Sequence, residues 1–120
     1  MKPPLIILSV GIFIILTGCA TWTKEQVLLQ GVASTLKIID WGQTLDIADK
    51  PDRYEETNPI LGKHPSRAEV NRYFGYSVGT QLLITHLLPS EWRKFWLGGW
   101  IGVSGYYVNH NYGVGLRVNF

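Results

Sequence analysis

The sequence predicts an all-α fold: a three-helix, membrane-associated bundle that follows a cleaved signal helix and is trailed by a short extended C-terminal tail. Three observations predict it. Two capping-box spacings and a set of prolines divide the chain beyond residue 22 into helical segments. Lys2 followed by the apolar run Leu5 to Leu16 has the charge and length of an export signal. No Asp, Glu, Lys or Arg occurs from Tyr73 to Ser90 or from Phe95 to Leu116, and both stretches approach the length needed to span a bilayer.

The 120 residues leave room for one core. Residues 1–18 read as a signal peptide and 19–120 as a single helical domain. Charged residues are 17%, against the roughly 25% usual for soluble domains, and five Trp with six Tyr raise the interfacial content. The net charge of +2 comes from bases scattered among acids, with no basic run, so a nucleic-acid partner is not expected. The one cysteine cannot form an internal disulfide, and in an exported chain it calls for an intermolecular bridge or a modification.

The first segment supplies that modification. Gly18 and Ala20 flank Cys19 with small residues at the end of the apolar run, and Leu16-Thr17-Gly18-Cys19 resembles the lipobox of bacterial lipoproteins. The resemblance implies that the Cys19 thiol receives diacylglycerol and becomes the mature N-terminus, with membrane lipid as the partner in the bacterial cell envelope. Ala20, rather than Asp, after the cysteine implies the outer membrane, the inner membrane staying open. A retained signal anchor is the alternative, since the run nears the required length of about 20 residues only by including Thr17 to Ala20.

Thr23-Lys24-Glu25-Gln26 has capping-box spacing and should start the first helix. Leu28, Val32, Leu36 and Ile39 fall on a different face from Gln30, Ser34, Lys37 and Thr44, so the segment to about Ala48 reads as amphipathic and ends at Lys50-Pro51-Asp52. Residues 49 to 66, with Pro51, Pro59 and Pro65, read as a loop. Ser66-Arg67-Ala68-Glu69 is a second capping box opening a helix to Leu88. Ser90 should cap a third beginning at Glu91-Trp92.

Gly75 and Gly79 in the second helix, and Gly98 and Gly102 in the third, have close-packing spacing and are expected to pack helices. In the third helix Gly98, Gly102, Gly105 and Asn109 share the face expected to meet protein. Trp92, Trp96, Trp100, Val103 and Tyr107 share the one expected to meet lipid or its interface. After it, Tyr112, Val114, Leu116, Val118 and Phe120 alternate with Gly113, Gly115, Arg117 and Asn119 as a strand does. A transmembrane barrel needs at least about eight strands, and no other segment alternates, which leaves an extended tail.

Asp40 is the most informative carboxylate. It lies among Ile38, Ile39 and Trp41 with Lys37 and Thr44 one turn away, and a buried carboxylate there needs a partner. In Tyr54-Glu55-Glu56-Thr57-Asn58-Pro59, the Asn58-Pro59 pair suits a rigid turn in which the amide serves loop backbone groups. His64, His86 and His110 have no metal-ligand spacing, Ser77, Ser90 and Ser104 have no nucleophile-elbow context, and no cofactor is implied.

Asp40-x-x-Gln43-Thr44, then Glu56-x-Asn58-Pro59-Ile60-Leu61-Gly62, Pro65-Ser66, Val70, Tyr73 and a late Asn109 form a pattern over residues 36 to 112. It is similar to an uncharacterised group of small helical membrane or lipoprotein-like proteins of proteobacteria and their phages. That group has no established activity. The resemblance implies architecture and marks Asp40, Thr44, Glu56, Asn58 and Asn109 as a buried polar cluster. The expected role is structural or interactive, toward an envelope protein or a second copy of the chain. The alternative is an intramembrane enzyme or carrier that uses Asp40 and Glu56 for proton transfer or ligand binding.

Overall fold

A computed structural model describes residues 22–120 as three helices, with no strand among the described residues. The signal segment and Cys19 lie outside the described residues. Helix α1 runs Lys24–Asp49, α2 Arg67–Leu87 and α3 Ser90–Gly113. α1 is the central element, packed on both others, while α2 and α3 touch little.

The helix starts follow the sequence signals unevenly. At α1 both arms of the capping box form, the Thr23 hydroxyl accepting from the Gln26 N–H at 3.1 Å and the Gln26 carbonyl oxygen accepting from the Thr23 N–H at 3.2 Å. At α2 only half forms. Ser66 accepts from the Glu69 N–H, but the Glu69 carboxylate accepts the Ser66 hydroxyl proton rather than turning back to the backbone. Ser90 does not cap α3. Pro89 holds the cap position with extended ψ, and Ser90 is the first helical residue, its hydroxyl accepting from the Gln26 amide at 2.8 Å.

Gly115, at φ +104°, turns the chain out of α3 in the left-handed region where glycine carries no side-chain penalty. The expected extended tail follows, but it joins no sheet. It straps across α1: Leu116 is buried, Asn119 N–H donates to the Gly42 carbonyl at 3.1 Å, and Phe120 meets Trp41 edge-on at 6.1 Å. Gly42 makes the approach possible, because a Cβ there would lie 2.6 Å from Val118 and 2.9 Å from Phe120.

The bundle has two dissimilar halves. Toward the loop end, Leu45, Val70 and Phe74 form an apolar core flanked by Trp41, Ala48, Leu61 and Tyr73. Toward the α2–α3 turn the seam is polar. Gln30 donates to Gln81 at 2.9 Å, and Gln81 and Trp96 each donate to the Thr85 hydroxyl. The buried Arg93 guanidinium donates to the carbonyls of Thr85 and His86, both at 2.9 Å, closing the C-terminus of α2. Here α1 turns its polar stripe inward, with Gln26 and Gln30 buried, while Leu28 and Val32 are exposed. Each buried side-chain polar atom among the described residues has a partner, which makes this inversion affordable.

Two face assignments change accordingly. An added Cβ at Gly75, Gly79, Gly98 or Gly102 would meet nothing within 4 Å, so none of the four packs helices within the chain. The face of α3 that packs is instead Arg93, Leu97 and Ser104, with Trp96 and Trp100 half-buried beside them. Trp96 and Arg93 turn inward to hydrogen-bond acceptors on α2, which leaves Gly98 and Gly102 on the outer side, while Gly105 is half-buried with Leu36 4.0 Å from an added Cβ. No helix among the described residues is long and apolar enough to cross a membrane. The uncharged stretches are diluted by Gly, Asn, Gln, Ser, Thr and Tyr.

Candidate functional site

Asp40 leaves α1 near its middle and reaches the base of a cavity of about 220 Å³ between α1, α3 and the 50–66 loop. Thr44, one turn on, lies beside it and donates its hydroxyl to the Asp40 carbonyl at 2.8 Å. From the loop, Glu56 and Asn58 close one side. The Glu56 Oε1 accepts from the N–H groups of Thr57 and Asn58 at 2.9 and 3.0 Å, and Asn58 Oδ1 accepts from the Ile60 N–H at 2.9 Å. This turn is the reason a carboxylate and an amide from the loop stand still at the mouth of the cavity. Gly62, at φ +79°, completes it.

Four of the five residues expected to form a buried polar cluster therefore line one cavity, Asp40 and Thr44 buried, Glu56 and Asn58 half-buried at its edge. Asn109 does not. It is exposed on α3, and the amide that reaches the site is Asn111, about 200° further round a helix of 100° per residue. Asn111 Nδ2 donates to Asp40 Oδ1 at 3.2 Å and to Gln43 Oε1 at 3.3 Å. Gln43 in turn donates to the Val108 carbonyl at 3.2 Å, which fixes its oxygen toward Asn111.

Lys37 supplies the cation. Its ammonium lies 5.0 Å from the Phe74 ring, 5.1 Å from Trp100 and 5.9 Å from Tyr73, a cation–π environment on the wall of the same cavity. Burial pushes the Lys37 pKa down, against the nearby Asp40 carboxylate. Burial likewise pushes Asp40 up to about 6. Lys37 opposes that shift, Glu56 repulsion adds to it, and the hydrogen bonds from Thr44 and Asn111 limit it. Asp40, its carboxyl held above the ordinary carboxylate range, thus shares a cavity with Lys37 and Glu56. Two carboxyl groups, Asp40 and Glu56, and one amine, Lys37, line the cavity.

The sequence pattern contained Gln43 without placing it in the cluster, and it did not single out Asn111 or the Trp100 wall. The signal for Asn111 was its place on the same helix face as Ser104 and Leu97, a face between the two that the wheel assigned. Among the described residues no group of three or more His, Cys, Asp or Glu is placed to hold a metal ion. No protein-family model, curated protein or solved structure matches this chain.

Proposed function

We propose that this chain is a cell-envelope lipoprotein, anchored through Cys19, whose helical body binds a small protonated amine in the Asp40 cavity. One observation carries the binding half: Asp40 and Thr44 from α1, Glu56 and Asn58 from the loop and Asn111 from α3 line a single cavity with an ionisable carboxylate at its base. A purely structural polar tie has no need of an open volume. Two carboxyl groups, Asp40 and Glu56, favour a cation, and the Phe74 and Trp100 rings that already hold the Lys37 ammonium show that the cavity wall accommodates one. The volume suits a ligand of a few heavy atoms. The anchor half rests on Leu16-Thr17-Gly18-Cys19 at the end of the apolar run, and the outer membrane is its favoured address. The likeness of residues 36 to 112 to small helical lipoprotein-like proteins bears on the anchor half alone and assigns no activity.

The test is thermal unfolding of the full chain with n-propylammonium or n-propanol, at pH 8 and at pH 4.5. The ammonium raises Tm at pH 8, loses that effect at pH 4.5 where Asp40 is protonated, and has none on Asp40→Asn; propanol does nothing. An equal shift by propanol, or an undiminished one in Asp40→Asn, contradicts amine binding at this carboxylate. Palmitate labelling that is absent from wild type, or that persists in Cys19→Ala, contradicts the anchor.

A further inference from the structure

The half of the bundle around the α2–α3 turn is built inside out. Its interior is Gln26, Gln30, Gln81, Thr85 and Arg93, while Leu28 is 68% exposed, Leu83 51%, Leu87 55% and Phe95 76%. Polar side chains that join helices while apolar ones face outward are the arrangement expected in contact with lipid, where outward apolar surface costs nothing. Part of this outward apolar surface forms a groove. Val27 on α1 and Leu82 and Leu83 on α2 line an open apolar groove of about 550 Å³, with Trp22 at its end and Gly79 leaving its floor clear.

The groove lies where the chain enters the bundle. Trp22 is held there by its indole N–H, which donates to His86 Nδ1 at 3.3 Å, and by the Arg93 guanidinium 5.0 Å from its ring. Cys19 is three residues earlier, so at roughly 3.5 Å per residue its sulfur-bearing residue is within about 10 Å of Trp22 in any conformation. Trp92, also exposed, borders the same end, as aromatic residues do at a membrane interface, and the charges there are mixed: Lys94 pairs with Glu25 at 3.2 Å beside Lys24 and Glu91. Most of the charged residues sit at the opposite end, in and around the 50–66 loop.

We infer that this end of the bundle seats on a lipid bilayer, with acyl chains entering the Val27–Leu82–Leu83 groove and the Asp40 cavity held out in water. Because no described helix is apolar enough to cross a bilayer, the contact is a surface one. The orientation rests on the anchor at Cys19, and the experiment reads seating and anchor separately.

A polarity-sensitive nitrobenzoxadiazole dye is attached to full-length Leu83→Cys, Phe95→Cys and, as the distal site, Lys63→Cys, in phosphatidylcholine–phosphatidylglycerol vesicles with or without acyl-doxyl lipid. Leu83 and Phe95 are exposed, so the label disturbs no core. The wild type controls for the anchor: an acylated Cys19 takes no dye, and a dye-reactive one overturns the anchor, after which the sites are read in Cys19→Ser. Seating predicts blue-shifted emission at positions 83 and 95 that loses most of its intensity to doxyl lipid, and neither change at position 63. Emission at 83 and 95 matching that at 63 overturns the inference. So does a blue shift without doxyl quenching, which would show a second copy or another protein covering the face.

Discussion

Asp40 and Asp46 stand six residues apart on α1, and both are nearly inaccessible, yet their carboxyls are pushed in opposite directions. Burial raises both. At Asp46 it is overcome by Lys50, whose ammonium lies 2.9 Å from Oδ1, and by the Arg117 N–H at 3.1 Å and the Asn119 amide at 3.4 Å, so its pKa falls below the ordinary value. At Asp40 a single side-chain amide, a threonine and a half-buried lysine do not suffice, and Glu56 works against them. The difference teaches how to tell the two uses of a buried carboxylate apart. Asp46 has its donors fixed in place and ties down the tail; Asp40 has fewer, and faces a cavity that can supply another.

The strongest way to break this contrast is to remove the structural member. Asp46→Ala takes away an ion pair and two hydrogen bonds to a charged group, and should destabilise the fold by about 3 kcal/mol in urea titrations. Amide exchange at Arg117 and Asn119 should rise with it. Asp40→Asn should act the other way, stabilising by about 2 kcal/mol at pH 8, because raising a carboxyl from 3.8 to about 6 leaves an unfavourable ionisation in the fold. A loss of stability in Asp40→Asn at pH 8 would make Asp40 a second structural carboxylate.

The pH profile sharpens the contrast. The Asp40 folded value lies above its unfolded value, so its contribution is fully present below 3.8 and is lost as pH rises through about 6. The Asp46 folded value lies below 3.8, so its contribution is present above 3.8 and is lost as pH falls through the folded value. Urea midpoints of wild type against Asp40→Asn should therefore diverge between pH 4 and pH 6, and against Asp46→Asn should converge only in stronger acid.

Glycines give the smaller effects. Gly115→Ala forces a side chain into φ +104° with its Cβ 2.9 Å from the Tyr54 hydroxyl, and should cost about 1.5 kcal/mol while loosening the Asp46 tail and sparing Asp40. Gly98→Ala and Gly79→Ala meet open space inside helices, and each should stabilise by about 0.7 kcal/mol. Destabilisation at either would restore these glycines to a helix contact.

The helices were legible because their ends are marked locally: Thr23 with Gln26, Ser66 with Glu69, and prolines at 51, 65 and 89. Asp40, Thr44, Glu56 and Asn58 were legible as polar residues in apolar or turn settings that ask for partners. The identity of the partner across the bundle was not, since Asn109 and Asn111 differ only in which side of α3 faces α1. That side was misjudged for a physical reason. The helical wheel set the tryptophans toward lipid and the glycines toward protein, whereas the face that packs carries polar groups that satisfy one another, Arg93 with Gln26 and Gln30 with Gln81. The stripe Gln26, Gln30, Ala33, Lys37, Asp40 and Thr44 does carry helical spacing, and read as an inward face it announces both the polar seam and the cavity. The tail strap rests on contacts between residues some 70 positions apart, such as Asn119 with Asp46 and Asp49, and no local pattern encodes them.

The central claim is that Asp40 is a proton-exchanging, ligand-facing carboxylate while Asp46 is not. A ¹³C NMR titration of the aspartate side-chain carboxyls of the full chain, with and without n-propylammonium, tests it directly. The account predicts an Asp40 midpoint near 6 that moves downward when the amine is present, and an Asp46 midpoint below 3.8 that stays put. An Asp40 midpoint in the ordinary carboxylate range, or one indifferent to the amine, would contradict it.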